Sequence, residues 1–172
     1  MDTLFLDRPL LSDRFCVGDV LEPECVDKVP ALKKFVTSSG GVHVAYVGAV
    51  FHLLNERDCV RLAQALFRLL TPGGVTFGRT VGLASVQDAA ALADAAAAPP
   101  TQRFLHSPAS MTALLESVGF TSVQIHEEGH DNSARRGTRE RSTARFRSAH
   151  GDLPGGNLAH LGFFAVKPDN SA

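Results

Sequence analysis

The chain lacks several features that mark specialised classes of protein. It has no tryptophan and a net charge of −1 over 172 residues, so nothing in the overall charge favours a nucleic-acid or membrane partner. The three cysteines are an odd number without CxxC spacing, which is typical of reduced thiols. No apolar run reaches the roughly 20 residues that cross a bilayer. The start of the chain carries acids instead of the basic residues of a secretory signal, so we expect a cytoplasmic protein.

The hydrophobic patterning predicts one α/β domain that covers residues 1–172. The composition, 44% hydrophobic and 20% charged, is that of an ordinary globular domain. Short apolar runs bounded by turn residues predict strands, and apolar residues at helical spacing predict helices. The predicted strands are 14–20, 42–50, 75–82, 121–127 and 160–168, and the predicted helices are 29–41, 55–70, 84–100 and 107–119.

The central prediction is a strand–helix–strand crossover. The run VHVAYVGAV at 42–50 is too continuously apolar for a half-exposed strand, so it fits a strand covered on both faces of a parallel sheet. Asn55 is placed to cap the next helix, whose stripe of apolar residues leads to a Thr-Pro-Gly-Gly stop at 71–74. The stripe consists of Cys59, Leu62, Ala63, Leu66, Phe67 and Leu70. Ser107 followed by Pro108 predicts a further helix start.

An arginine-rich stretch separates the last two predicted strands. Residues 135–147 hold six arginines, one acid and a single aromatic residue, Phe146, whereas nucleic-acid binding uses several interleaved aromatic residues. We therefore interpret 129–157 as a mobile surface loop within the domain.

The order and spacing of several segments resemble the C-terminal part of class I S-adenosylmethionine-dependent methyltransferases. The likeness is greatest to fungal small-molecule O-methyltransferases of polyketide–terpenoid pathways, and it covers most of the chain outside the arginine-rich loop. The segments that carry it are DRFCVGDVLEPE, VHVAYVGAVFHLLNERDCVRLAQALFRLLTPGG, VTFGRTVG, LFLDRPLLSDRF and FLHSPASM. The resemblance implies a truncated Rossmann-like fold of about five strands, mostly parallel, with an antiparallel C-terminal strand.

The cofactor half of that family pattern has no counterpart here. In the family, a glycine-rich turn holds the methionine end of the cofactor and an acidic residue holds the ribose hydroxyls. Only 13 residues precede the segment that resembles the family's third strand, and they contain no glycine. We therefore expect no cofactor, with S-adenosylmethionine binding only if the missing half is supplied. Asp19 matches the residue that contacts the adenine amino group, although the alternative is an aspartate that caps its own loop.

His52 is the leading catalytic candidate. It follows the predicted central strand, at the edge where open α/β sheets place their ligands. In related O-methyltransferases the segment HDWSDE-C occupies this position and its histidine is the general base, whereas this chain has HLLNERDC. The imidazole is suited to moving protons near neutral pH. The alternatives are a packed histidine bonded to a carbonyl, and a substrate carboxylate that needs no base.

Three further residues are expected at a substrate pocket. Phe51 precedes His52, Arg79 follows the family's FG pair and is suited to a carboxylate, and His106 lies just before the Ser107 cap. Structural roles are the alternatives for Arg79 and His106. We expect no metal site, because Glu127, Glu128 and His130 make only a weak cluster of possible ligands.

Three functions remain open from the sequence. The first is a methyltransferase-like protein that catalyses a cofactor-free cyclisation or isomerisation on a small molecule. The second is a methyltransferase half that needs a missing segment. The third is a non-enzymatic binding partner of an intact methyltransferase.

The predicted strand at 42–50 also raises a question of pairing. Without the family's first two strands its edge would be bare, which favours aggregation. We expect the 14–20 segment to pair with it, which would bring Asp19 close to His52. A homodimer joined through the same edge is a further expectation.

Overall fold

The computed structural model describes residues 17–83, 103–128 and 158–169. The predicted helix at 84–100 and the arginine-rich loop at 129–157 lie outside these residues, so those predictions stay predictions. The helices are α1 (Cys25–Lys28), α2 (Pro30–Ser39), α3 (Glu56–Leu69) and α4 (Pro108–Val118), with a 3₁₀ turn at Phe51–Leu53. The strands are β1 (Val42–Gly48), β2 (Leu70–Leu83), β3 (Thr121–Glu128) and β4 (Leu158–Val166).

The four strands form one mixed sheet in the order β1-β2-β4-β3. β1 and β2 run parallel, with α3 as the crossover between them, and β4 runs antiparallel to both β2 and β3. The predicted α/β class, the crossover and the antiparallel C-terminal strand are confirmed.

The strand expected at 14–20 does not form in its described part. Residues 17–20 are exposed coil and turn, and β1 is an edge strand within the described residues. The Asp19 carboxylate accepts a hydrogen bond from the Leu21 backbone N–H at 2.9 Å, and the Asp19 carbonyl accepts one from Glu22 at 3.1 Å. These bonds turn the backbone, so the expected pairing with β1 is corrected to a loop.

The helix starts and ends follow local chemistry. The Asn55 side chain accepts from the Asp58 backbone N–H, and acids in the first turn of α3 complement the helix dipole. At α4, Ser107 and Ser110 form a reciprocal capping box, and Gly119 ends the helix with φ of 110°. These predicted caps are confirmed.

The Thr-Pro-Gly-Gly stretch at 71–74 is not a turn outside the sheet. β2 begins at Leu70, directly after α3, and runs through this stretch. The pairing with β1 shifts between Val42 and Val44, which accommodates the extra residues as a bulge. Gly73 has φ of 72°, and its N–H donates to the Lys167 carbonyl at 3.0 Å. The predicted strand start at residue 75 was therefore wrong, because Lys167, directly after β4, exchanges backbone hydrogen bonds with Gly73 and Gly74 of the bulge.

The two faces of the sheet have different environments. One face is covered by α3 and α4, and the core there includes Val47 of β1 and Phe163 of β4. On the other face Tyr46 and Phe77 form a tilted aromatic pair with centroids 5.3 Å apart, and Val44 lies on the same face. These three side chains are 63%, 41% and 56% exposed. The prediction that β1 is covered on both faces is therefore not met within the described residues.

In the described ranges, no helix is long and apolar enough to span a bilayer.

Candidate functional site

A sharp change of direction after β1 places the candidate site. The Ala49 N–H donates to the Arg79 carbonyl at 2.7 Å, which continues the β1–β2 ladder one residue past Gly48. Ala49 has φ of 57°, a left-handed conformation that is costly for any residue with a Cβ. The chain then enters the 3₁₀ turn, in which the side chains of Phe51 and His52 are buried. His52 thus lies at the carboxyl end of β1, as predicted.

The Thr80 hydroxyl contacts both the backbone and the ring of His52. The His52 backbone N–H donates to Thr80 Oγ1 at 3.1 Å, and His52 Nδ1 lies 3.3 Å from the same oxygen. His52 is 8% exposed and Thr80 is 2% exposed. The contact joins the turn after β1 to the core-facing side of β2. The sequence analysis did not single out Thr80. Thr76, Gly78 and Thr80 follow one another at two-residue spacing, which places all three on the core-facing side of β2.

Phe51 packs the turn after β1 against the core. Its side chain is fully buried and meets the Phe163 ring edge-on at 5.6 Å. Its carbonyl accepts a hydrogen bond from Cys59 Sγ at 3.5 Å, which ties the turn to α3. Burial, with a smaller contribution from Asp58 and Glu56, raises the pKa of the Cys59 thiol to about 12. Cys59 is therefore a structural thiol and not a nucleophile.

His106 reaches the same region from the segment before α4. The Phe104 N–H donates to the Leu54 carbonyl at 2.8 Å, and the His106 carbonyl accepts from Leu83 at 2.9 Å. This segment therefore spans from the turn after β1 to the end of β2. A Cβ at Gly82 would clash with the His106 carbonyl oxygen, so glycine is required for the close approach.

The His106 ring sits in an apolar environment. It is 3% exposed and meets the rings of Phe104 and Phe51 edge-on, at 4.7 and 6.3 Å between centroids. Nδ1 lies 3.3 Å from Ser110 Oγ, whereas the buried Nε2 has no hydrogen-bond partner among the described residues. Burial lowers the pKa of His106 to about 4, so the ring is neutral at neutral pH.

Arg79 and Asp19 are placed differently from expectation. Arg79 is exposed, and because side chains alternate along a strand it lies on the opposite face of β2 from Thr80. Asp19 is exposed in the loop before α1, where its carboxylate caps Leu21. An Asp19–His52 hydrogen bond or ion pair is not among the contacts of the described residues. The structure thus groups Phe51, His52 and His106 with Thr80.

The described residues do not form a cradle for S-adenosylmethionine. Their positive-φ glycines are Gly40, Gly41, Gly73 and Gly119, none of which follows the carboxyl end of β1 or β2. A Cβ at Gly41 would meet backbone atoms of Leu69 and Thr71, so that glycine serves chain packing. Of the two carboxylate oxygens of Asp19, Oδ1 accepts the hydrogen bond from Leu21, which leaves one oxygen for contact with a cofactor. The described residues also contain no group of three metal-ligating side chains.

Comparisons with known proteins identify the fold. A putative sarcosine dimethylglycine methyltransferase from Galdieria sulphuraria is 11% identical, with a TM-score of 0.51 over 87% of this chain and 68% of that one. Phosphoethanolamine N-methyltransferase 2 of Haemonchus contortus is 13% identical, with a TM-score of 0.47 over 74% of this chain and 34% of that one. The [4+2]-cyclase SpnF is 12% identical, with a TM-score of 0.48 over 76% of this chain and 51% of that one.

The likeness to the Galdieria sulphuraria structure shows a methyltransferase-like fold. The chain spans 34% to 40% of the Haemonchus contortus enzyme in the two structures compared. No protein-family model matches the chain, and no curated protein sequence matches it significantly.

The burial of His106 generates a pH prediction. In the unfolded chain its imidazole takes a proton near pH 6.5, whereas the folded chain resists protonation down to about pH 4. The unfolded state therefore binds more protons in this window, so the free energy of unfolding falls as the pH drops from 7 to 4, by about 3 kcal/mol from this group. Urea unfolding should show this fall in the free energy of unfolding for the native chain. The His106→Gln variant should lack the contribution of this group.

His126→Gln is the matched control, because His126 is exposed on β3 and should leave the pH profile unchanged. Parallel profiles for the native chain and His106→Gln would contradict the assignment. If His106→Gln does not fold, NMR titration of His106 in the native chain decides the same point.

Proposed function

We propose that the chain is a methyltransferase-like protein of fungal secondary metabolism, located in the cytosol, that acts on a small polyketide- or terpenoid-type molecule. The proposed reaction is a cofactor-free acid/base step, a cyclisation or an isomerisation. The observation that carries the proposal is the His52–Thr80 contact at the carboxyl end of β1. The sequence resemblance supplies the substrate class, and the neighbours in structure support the fold.

The roles of the residues follow from their surroundings. His52 is the acid/base group, because its ring is held by a hydroxyl instead of being packed solely among apolar atoms. His106 is neutral and is suited to hydrogen-bond an uncharged hydroxyl or carbonyl of the substrate. Phe51 forms the apolar wall that both histidines adjoin. Arg79 would act on a charged substrate group only from the other face of β2.

An isothermal titration with S-adenosylmethionine tests whether the reaction is cofactor-free. We expect no binding tighter than millimolar, because the described residues hold no glycine turn at the carboxyl edge and each missing hydrogen bond costs about 1 kcal/mol. Micromolar affinity would favour the second candidate, an O-methyltransferase or half of one. That candidate gains support from the exposed apolar face of the sheet, which suits a further covering segment.

Substitution of His52 tests the acid/base role. Proton–deuterium exchange at the acidic carbon of polyketide-type 1,3-diketones gives a readout that needs no cofactor. His52→Ala should lower the rate by about 10²–10⁴ while the fold stays intact. His126→Ala, at an exposed histidine on β3, is the control and should retain the rate. An unchanged rate in His52→Ala would leave His52 with a packing role and favour the non-enzymatic binding partner.

A homodimer through β1 remains part of the proposal. A two-fold axis beside β1 would pair the backbone groups that are unpaired within the described residues and cover Tyr46 and Val44, which are exposed on the same strand. Light scattering should give a dimer for the native chain and a monomer for Tyr46→Lys. Gln64→Lys, which adds the same charge at an exposed position of α3, should remain dimeric. A monomeric native chain across the micromolar range would overturn this part.

A further inference from the structure

The residues of the candidate site are closed off from solvent. His52 is 8% exposed, Thr80 2% and His106 3%, and Phe51 is fully buried. A small molecule therefore reaches the His52 ring only if a surrounding segment moves. On two sides the site is bounded by regular elements, α3 and β2, which run over 14 residues each. The coil at 103–107, which leads into α4, is an irregular part of its boundary.

Two backbone hydrogen bonds fasten this coil across the site. The Phe104 N–H donates to the Leu54 carbonyl at 2.8 Å, and the Leu83 N–H donates to the His106 carbonyl at 2.9 Å. The first bond joins the coil to the turn after β1, and the second joins it to the end of β2. At Ser107 the coil meets the capping box of α4, which fixes the start of that helix. The coil is thus anchored firmly at its α4 end and by single hydrogen bonds at these two points.

The closed position of the coil carries an energetic cost. His106 Nε2 is buried and has no hydrogen-bond partner among the described residues. A buried polar atom without a partner has lost its bonds to water and gained none in return. When the coil moves outward, Nε2 meets water again, and this offsets part of the contacts that are lost. The coil is therefore the segment around the site whose displacement the structure opposes least.

We infer that residues 103–107 form a strap that opens about the Ser107 cap and admits small molecules to His52. Opening breaks both backbone hydrogen bonds together and takes the His106 ring away from Phe51, whereas the sheet and α4 keep their places. The inference deepens the proposed function and rests on it, since His52 is the group that the small molecule would meet. The opening itself is a property of the chain without substrate.

Native-state amide hydrogen exchange measures the opening directly. The Leu83 and Phe104 amides should share one protection factor, because one movement exposes both. That factor should be at least about tenfold below the protection factor of Thr76, which lies in the middle of β2 with a strand paired on each side. Equal protection of all three amides, or different protection of Leu83 and Phe104, would overturn the inference.

Gly82→Ala should force the strap open, because a Cβ at Gly82 would clash with the His106 carbonyl oxygen. Exchange of the Phe104 amide, whose own partner lies on the turn after β1, should then become at least about tenfold faster. A faster exchange confined to Leu83 would show that the strap does not move as a unit and would overturn the inference.

Gly162→Ala is the matched control. A Cβ at Gly162 would meet nothing closer than 3.8 Å, so this variant should leave the exchange of the strap unchanged. The new Cβ in Gly82→Ala would also press on the end of the Leu161 side chain, so the Thr76 amide serves as the reference for a general loss of stability. If Gly82→Ala does not fold, the three amides of the native chain still decide.

Modification of the histidines by diethyl pyrocarbonate, resolved by site with mass spectrometry, connects the opening with access to His52. In the native chain His52 should react more slowly than His126, which is exposed. In Gly82→Ala the rate at His52 should rise by the factor measured for the Phe104 amide, and an unchanged rate would reject the strap as the route to His52. The proposed function fails separately, because turnover decides it. A strap that opens, together with undiminished turnover in His52→Ala, would retain the first and reject the second.

Discussion

The register between β1 and β2 is the constraint on which the candidate site depends. Val47 pairs with Gly78 and Gly48 with Arg79, so the next core-facing residue of β2 beyond the end of β1 is Thr80. A Cβ at Gly78 would clash with the Val47 carbonyl, which makes glycine necessary for this close pairing. Because side chains alternate, a slip of one residue would present Arg79 to the turn and turn Thr80 to the other face. The His52 contact therefore exists in one register only.

The same alternation divides β2 into two surfaces of different chemistry. The inward residues are small or carry hydroxyls, and helices cover them, whereas Phe77 and Arg79 point to an exposed face. Tyr46 extends that exposed surface onto β1, whose outer edge is unpaired within the described residues. Apolar patches of this kind commonly mark contact surfaces. The sheet thus has the buried His52–Thr80 contact on one side and exposed apolar side chains on the other.

Local signals in the sequence predicted what depends on local chemistry. The caps at Asn55 and Ser107 and the apolar stripe of α3 each arise within a few residues, and the structure has them. Thr80 was not predicted as part of the site because its partner lies 28 residues away and is set by strand register. The left-handed turn at Ala49 has no glycine to signal it. The Asp19–His52 pair depended on a strand that residues 17–20 do not form, since Asp19 satisfies its own turn instead.

The two histidines of the site differ in what surrounds them, and that difference assigns their chemistry. His106 lies between aromatic rings with only the Ser110 hydroxyl 3.3 Å from Nδ1, so burial disfavours a positive charge there and the ring stays neutral. His52 Nδ1 lies 3.3 Å from the Thr80 hydroxyl, and the His52 backbone N–H donates to the same oxygen. Burial thus disfavours protonation of His106, whose pKa it lowers to about 4.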